Sequence, residues 1–220
     1  MQNAKPFELV LSYPQWQGSG RFENLRRGAQ AAAEVCSQFG PVMAIPDAGE
    51  GEAKDGVNRW TAILDQFRSA QKLLAEIRPR TILTAGGDCA CDIAVIDYLH
   101  RVYPDLTVIW VDAHLDANTP ATSPSGNLHG MPVSSIMGSA PEGLRPLLSA
   151  PLPLPNFAML PPTWATRVIG SSSENMTCHG SSQTRYSRAR SIFTLTSILS
   201  VPRNSRISLI PKETCRSTQA

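Results

Sequence analysis

No stretch of this 220-residue chain approaches the ~18 consecutive apolar residues of a membrane-spanning helix, so a membrane protein is not expected. Met1 leads into QNAKPFELVL, which has neither the basic start nor the apolar run of a secretory signal. Cysteine is scarce and odd in number, at positions 36, 89, 91, 178 and 215. A disulfide framework is therefore not expected, and a reducing cytoplasmic compartment is. Cys89-Ala90-Cys91 is too tight for a CxxC redox or zinc pair and reads first as two small, partly buried residues. Acidic residues nearly vanish after residue 150. Residues 151–220 hold two of them against eight Lys and Arg, a balance of +6, whereas residues 1–150 hold sixteen against twelve, a balance of −4. The net charge of +2 conceals this division. It suggests an ordered domain over 1–150 and a divergent, poorly ordered tail rich in Ser, Thr and Arg over 151–220.

What is present in the first part is a well-patterned chain. Hydrophobic residues make up 42% of the whole, enough to bury a sizeable core. Phe7–Leu11 reads as a strand, Glu23–Phe39 as an Ala-rich helix stopped by Gly40, and Asp47–Gly56 as an acidic loop. Apolar residues at 63, 64, 67, 73, 74 and 77 give Trp60–Ile77 the spacing of an amphipathic helix. Thr81–Ala85 is a β-branched run feeding Gly86-Gly87, so a buried strand entering a tight turn. A helix over Ile93–Tyr103, a strand over Leu106–Val111, a polar loop to about Asn127 and a helix over His129–Met137 follow. Asn156–Leu160 and Ser191–Val201 resemble further strands. Alternating helices and near-continuously apolar strands predict an α/β fold with a mainly parallel sheet. In such sheets ligands sit beyond the carboxyl ends of strands. Gly86–Cys91 and Asp112–His129 fall there.

The second of these segments opens with Asp112-Ala113-His114-Leu115-Asp116. Alternate residues of an extended segment project to one side, so Asp112, His114 and Asp116 are expected to converge beyond the sheet edge. Two carboxylates and an imidazole suit a divalent ion such as Mn²⁺ or Zn²⁺, and shared carboxylates allow two ions ~3.5–4 Å apart. Alone, the motif is equally compatible with a solvated loop carrying chance charges. Its place at a strand end, ahead of a long run of small polar residues, favours a pocket for a charged small molecule.

GGDC at 86–89, DAHLDANTP at 112–120 and SPSGNLHGMP at 123–132 closely resemble the ureohydrolases, the arginases and agmatinases. The match runs in order from about Thr81 to Gly138. The resemblance implies a three-layer α/β/α sandwich, incomplete at the C-terminus. It also implies a two-manganese site that hydrolyses a guanidino or amidino C–N bond, releasing urea in the best-known members. By position, Asp112 would bridge two ions, with His114 binding one and Asp116 the other. Asn118, Ser125 and Asn127 match positions that bind the polar end of the substrate. His129 matches a proton shuttle, which with Asp116 forms the expected catalytic pair; a helix-end histidine without that role is its bland alternative. The expected partner is a small guanidino compound. The basic tail, lacking aromatic interleaving, gives no support to a nucleic-acid partner, and a homo-oligomer is compatible.

Two departures qualify the resemblance. Cys89 stands where the family pattern usually places a histidine that ligates manganese. A thiolate prefers softer ions, so Cys89 either ligates and changes the preferred metal, leaves one site weak so that only one ion or none binds, or packs behind the turn. Asp88 reads as structural. The family's later Asp-x-Asp-x-x-Asp-Pro motif is missing, and Glu174 and Glu213 are the sole acidic residues after 150. A change of reading frame near residue 161 would account for this. Read one base out of phase, the code permits His-Ile-Asp-Val-Asp-Ile-Val-Gly-Pro-Ala-Glu-Phe-Pro across Phe193–Arg206. Absence of Asp triplets in the shifted frame of the source DNA would remove that idea. Two functions therefore compete: a metal-dependent ureohydrolase, or an inactive remnant that binds metal weakly or associates with homologues.

Overall fold

The computed structural model describes residues 5–19 and 24–160, together with the backbone of Arg190–Leu195 and Ile198–Ser200. The first strand, β1 (Leu9–Tyr13), is buried along its whole length. Leu9, Val10 and Leu11 are all fully enclosed, which explains why the strand reads as unbroken apolar sequence and not as an alternation. A 3₁₀ turn at Gln17–Ser19 follows, then α1 (Asn24–Cys36) and a short edge strand, β2 (Val42–Ala44). Helix α1 turns Ala29 and Ala33 inward, and these small side chains let it lie close on the sheet. The second helix, α2, spans Trp60–Ile77, the range that its apolar spacing predicts. Its buried face carries Ile63, Phe67, Ala70 and Leu74 at three- and four-residue steps. It ends on Arg78 in the left-handed conformation, whose N–H donates to the Leu74 carbonyl.

Strand β3 (Ile82–Gly86) leads through a 3₁₀ turn at Cys89–Cys91 into α3 (Asp92–Val102). Every residue of α3 from Asp92 to Leu99 is buried, because α2 packs on one side and strand β4 (Leu106–Val111) on another. Beyond β4 and its long loop lie a 3₁₀ turn at Leu128–Gly130 and a broken helical stretch over 132–139, with Gly138 at φ 101°. The single helix expected over His129–Met137 is therefore two short pieces. Pro132 starts the second, and glycine supplies the positive φ that ends it. Strands β5 (Phe157–Leu160), β6 (Arg190–Leu195) and β7 (Ile198–Ser200) complete a sheet of order β2-β1-β3-β7-β6-β4-β5.

Pairings are parallel for β1–β2, β1–β3, β4–β5 and β4–β6, and antiparallel only where β7 meets β3 and β6. The mainly parallel α/β class expected from the sequence holds. The run Ser191–Val201, expected as one strand, is two: Thr194 pairs with Ile198 and Phe193 with Leu199, so the chain reverses between them. The rest of the tail expected to be poorly ordered, 161–189, 196–197 and 201–220, lies outside the described residues. No helix of the described residues is long and apolar enough to cross a membrane.

Candidate metal centre at the ends of two strands

The turn after β3 is built around Asp88. Its side chain accepts hydrogen bonds from the Ala90 N–H (2.9 Å), the Ser19 N–H (3.1 Å) and Gln15 Nε2 (3.1 Å). The turn thus locks onto the segment that follows β1. Close approach demands glycine there. A Cβ on Gly87 would lie 1.8 Å from the Gln15 carbonyl oxygen, and one on Gly18 would lie 2.6 Å from the Asp88 carboxylate. Burial raises the Asp88 carboxyl to about 6 even though its hydrogen bonds pull the other way. Asp92, at the start of α3, is raised to about 8 by burial and then by the charge of Asp88. The structural role expected for Asp88 has these contacts behind it.

The turn sends its two cysteines in different directions. Cys91 is buried against Gly86, where an added Cβ would meet its Sγ at 2.4 Å. Cys89 is half-buried and its thiol donates to Asp112 Oδ2 across 3.8 Å. Burial, followed by the charges of Asp116 and Asp112, pushes that thiol well above its usual range.

Asp112 follows directly on β4 and its Oδ1 accepts the His114 N–H at 2.9 Å, a local turn typical of aspartate. Asp116 has φ 51°, its carbonyl accepts the Val133 N–H at 3.0 Å, and it is only 9% exposed. Its Oδ2 is buried without a hydrogen-bond partner. Burial first, then the neighbouring Asp112, raises its carboxyl to about 6. Cys89, Asp112 and Asp116 each offer a ligand atom, and these atoms lie within 4.8 Å of one another. His114 stands outside this group. Its Nδ1 is 3.6 Å from Asp112 Oδ1, yet its side chain is 83% exposed. The alternation of an extended strand does not carry through, because β4 stops at Val111 and Asp116 takes a left-handed conformation.

The polar loop is tied together across long sequence distances. Asn118 N–H donates to the Gly130 carbonyl at 2.9 Å, its Oδ1 accepts from Thr122 Oγ1 at 3.4 Å, and its carbonyl accepts from Ser134 Oγ. Ser125 Oγ accepts the Asn127 N–H at 3.3 Å. Asn58 Nδ2 donates both to the Ser125 carbonyl (2.8 Å) and to Asn127 Oδ1 (2.9 Å). Asn127 Nδ2 in turn donates to the Ser19 carbonyl at 3.1 Å. His129 Nδ1 lies 2.8 Å from the Gly18 carbonyl. A carbonyl can only accept, so Nδ1 carries a hydrogen and Nε2 is the nitrogen left for other work. Sequence reasoning missed Asn58 and the carbonyls of Gly18 and Ser19. The strand-end rule applied to β1 would have pointed to residues 15–19; nothing in the sequence marks Asn58. A cavity of about 280 Å³ between α3 and residues 135–152 shares no lining residue with the cluster.

Comparison with known proteins bears on the family and the fold. Hepatic arginase of Aquarana catesbeiana is 43% identical over 90 residues, which is 41% of this chain and 26% of that protein. Human arginase-1 is 53% identical over 66 residues, 29% of this chain and 20% of that protein. The chain thus spans about a quarter or less of the length of these relatives. Among solved structures, arginase from Entamoeba histolytica, in complex with L-ornithine, superposes with a TM-score of 0.58 at 22% identity, covering 70% of this chain and 57% of that one. Bacillus subtilis arginase gives 0.54 at 27% identity, covering 69% and 54%. These likenesses establish an arginase-like α/β fold. A sequence model of the arginase family matches residues 23–191, most of the chain, and the chain belongs to the arginase family.

Proposed function

We propose that the chain carries the hydrolytic centre of its family, directed at the C–N bond of a small guanidino or amidino compound. One observation carries this reading. Cys89, Asp112 and Asp116 converge at the ends of β3 and β4, and the Asp116 Oδ2 among them is buried with no hydrogen-bond partner. An unpaired carboxylate oxygen is costly to bury. A divalent cation between these donors offsets that cost, so the residues present fit one. Asp112, Asp116 and Cys89 would hold it, and the exposed His114 ring lies beside Asp112 outside that group. When bound, such an ion supplies Lewis acidity that lowers the pKa of water and makes a nucleophile available near neutral pH.

The remaining steps fall to side chains. The negative charges of Asp112 and Asp116 favour a cationic guanidinium at the cluster. His129, held at Nδ1 by the Gly18 carbonyl, moves a proton through Nε2 to the departing amine. Asn118, Ser125 and Asn127 shape the loop that receives the polar end of the substrate. This reading also takes manganese as the family's ion, a cytoplasmic location, and residues 1–150 as the part that carries the functional side chains, with 151–220 divergent in sequence although it lends strands β5, β6 and β7 to the sheet. It includes self-association but neither nucleic acid nor membrane.

A second reading, an inactive remnant, is favoured by the lack of the later aspartate motif after position 150, where Glu174 and Glu213 are the sole acidic residues. Loading the chain with Mn²⁺ and, separately, with Zn²⁺, counting bound ions and assaying urea release from arginine and agmatine separates the two. Tightly bound metal with turnover is expected of the enzyme. One loosely bound ion or none, without urea, is expected of the remnant.

A further inference from the structure

Cys89 is the feature that the family pattern does not explain. We propose that it makes this cluster a mixed thiolate and carboxylate site for a thiophilic ion of the zinc class, held by Cys89 Sγ, Asp112 and Asp116, in place of a manganese site. The inference rests on the reading that the cluster holds metal and adds which metal it selects.

Three observations support it. First, the sulfur is placed and not incidental. Of two cysteines a residue apart, Cys91 is buried behind Gly86, whereas Cys89 Sγ belongs to the three-donor group. Second, the spacing suits a small tetrahedral ion. With Zn–S near 2.3 Å and Zn–O near 2.0 Å, a tetrahedral angle sets sulfur and oxygen ~3.5 Å apart. Cys89 Sγ and Asp112 Oδ2 are 3.8 Å apart. Third, Asp116 brings a buried oxygen with no partner to the same point. Three protein donors with a fourth position open is the arrangement of a catalytic zinc site. Manganese favours oxygen-rich octahedral surroundings, which one thiolate and two carboxylates do not supply.

Cobalt(II) tests this directly, because it reports a sulfur ligand by an intense thiolate-to-metal charge-transfer band in the near ultraviolet. Metal-free, reduced full-length chain is titrated with Co²⁺, and Zn²⁺ and Mn²⁺ affinities are measured by competition. The same is done for Cys89→Ser. The expected result is a charge-transfer band in the parent chain that disappears in Cys89→Ser. The variant should also lose more than about tenfold in Zn²⁺ affinity while its Mn²⁺ affinity changes by less than about threefold. Cobalt binding without the band, a band retained in Cys89→Ser, or equal losses for both metals would overturn the proposal and leave the metal-site reading intact. Failure of the parent chain to bind any of the three ions would overturn both. The spectrum of the parent chain needs no variant, so poor folding of Cys89→Ser cannot mask the answer.

Discussion

Asp88 and Asp116 invite comparison. Both are buried aspartates in loops at the carboxyl ends of sheet strands, and burial raises both carboxyls to about 6. Their surroundings differ completely. Asp88 accepts from two backbone N–H groups and from Gln15, so its oxygens are committed to joining two loops. Asp116 has an oxygen with no partner, and it faces a second carboxylate and a thiol. Equal acidity therefore conceals opposite states of hydrogen bonding. What separates a carboxylate committed to the fold from one with an oxygen to spare is the state of its hydrogen bonds, not its titration.

The largest effect should come from closing the space around Asp88. Gly87→Ala drives a Cβ into the Gln15 carbonyl oxygen, and we expect a loss of about 3 kcal/mol or more, measured by chemical denaturation. Asp88→Ala strands two buried N–H donors and the Gln15 amide, and should cost about 2–4 kcal/mol by the same measurement. If Asp88→Ala is as stable as the parent, its structural assignment fails.

Asp116→Asn should do the reverse. It removes a buried carboxylate that has one unpartnered oxygen, so metal-free stability should stay level or rise by up to about 1 kcal/mol while metal binding is lost. Retained metal affinity, read by calorimetry, would erase the contrast between the two residues.

The pH dependence sharpens the comparison further. Asp88 and Asp116 are raised to about 6 and Asp92 to about 8, against about 4 in an unfolded chain. The fold therefore holds these protons more tightly than the unfolded chain does. The stability this confers is complete below about pH 4 and is lost as pH climbs through 6 and then 8. The metal-free melting temperature should fall across that range. Asp92→Asn should flatten the upper part of the fall, and an unchanged slope would remove Asp92 as its source. The smallest effect is expected at Asn58→Ala, about 1 kcal/mol by denaturation, because its amide bonds lie in an exposed loop.

Much of this architecture was legible where one physical signal dominated. Helix α2 and strand β4 occupy the ranges their patterns imply, because burial there follows a clean helical period or an unbroken apolar run. Strand β2 was not legible. Its three residues, Val42–Ala44, are apolar but exposed at the edge of the sheet, and a run so short does not stand out from a connecting segment. The site was half legible. Asp112, Asp116 and Cys89 meet, because each closely follows a recognisable strand. His114 was expected among them, but that expectation assumed an extended backbone past Val111. The contacts of Asn127 with Asn58 and of His129 with Gly18 span 69 and 111 residues, and no local pattern encodes such pairings.

The order of the sheet carries a consequence for how the centre forms. Strands β3 and β4 supply its two halves, yet they are not neighbours, for β7 and β6 lie between them. The distance between the Cys89 and Asp112 loops is therefore held by a hairpin encoded about 80 residues downstream of β4. Contacts of such long sequence separation form late, since the loop entropy must be spent before they are rewarded. On a ribosome, both donor loops would emerge well before the strands that set their spacing. Each half would wait as a separate surface, and the cluster would become a single site only when the hairpin wedged itself into the gap.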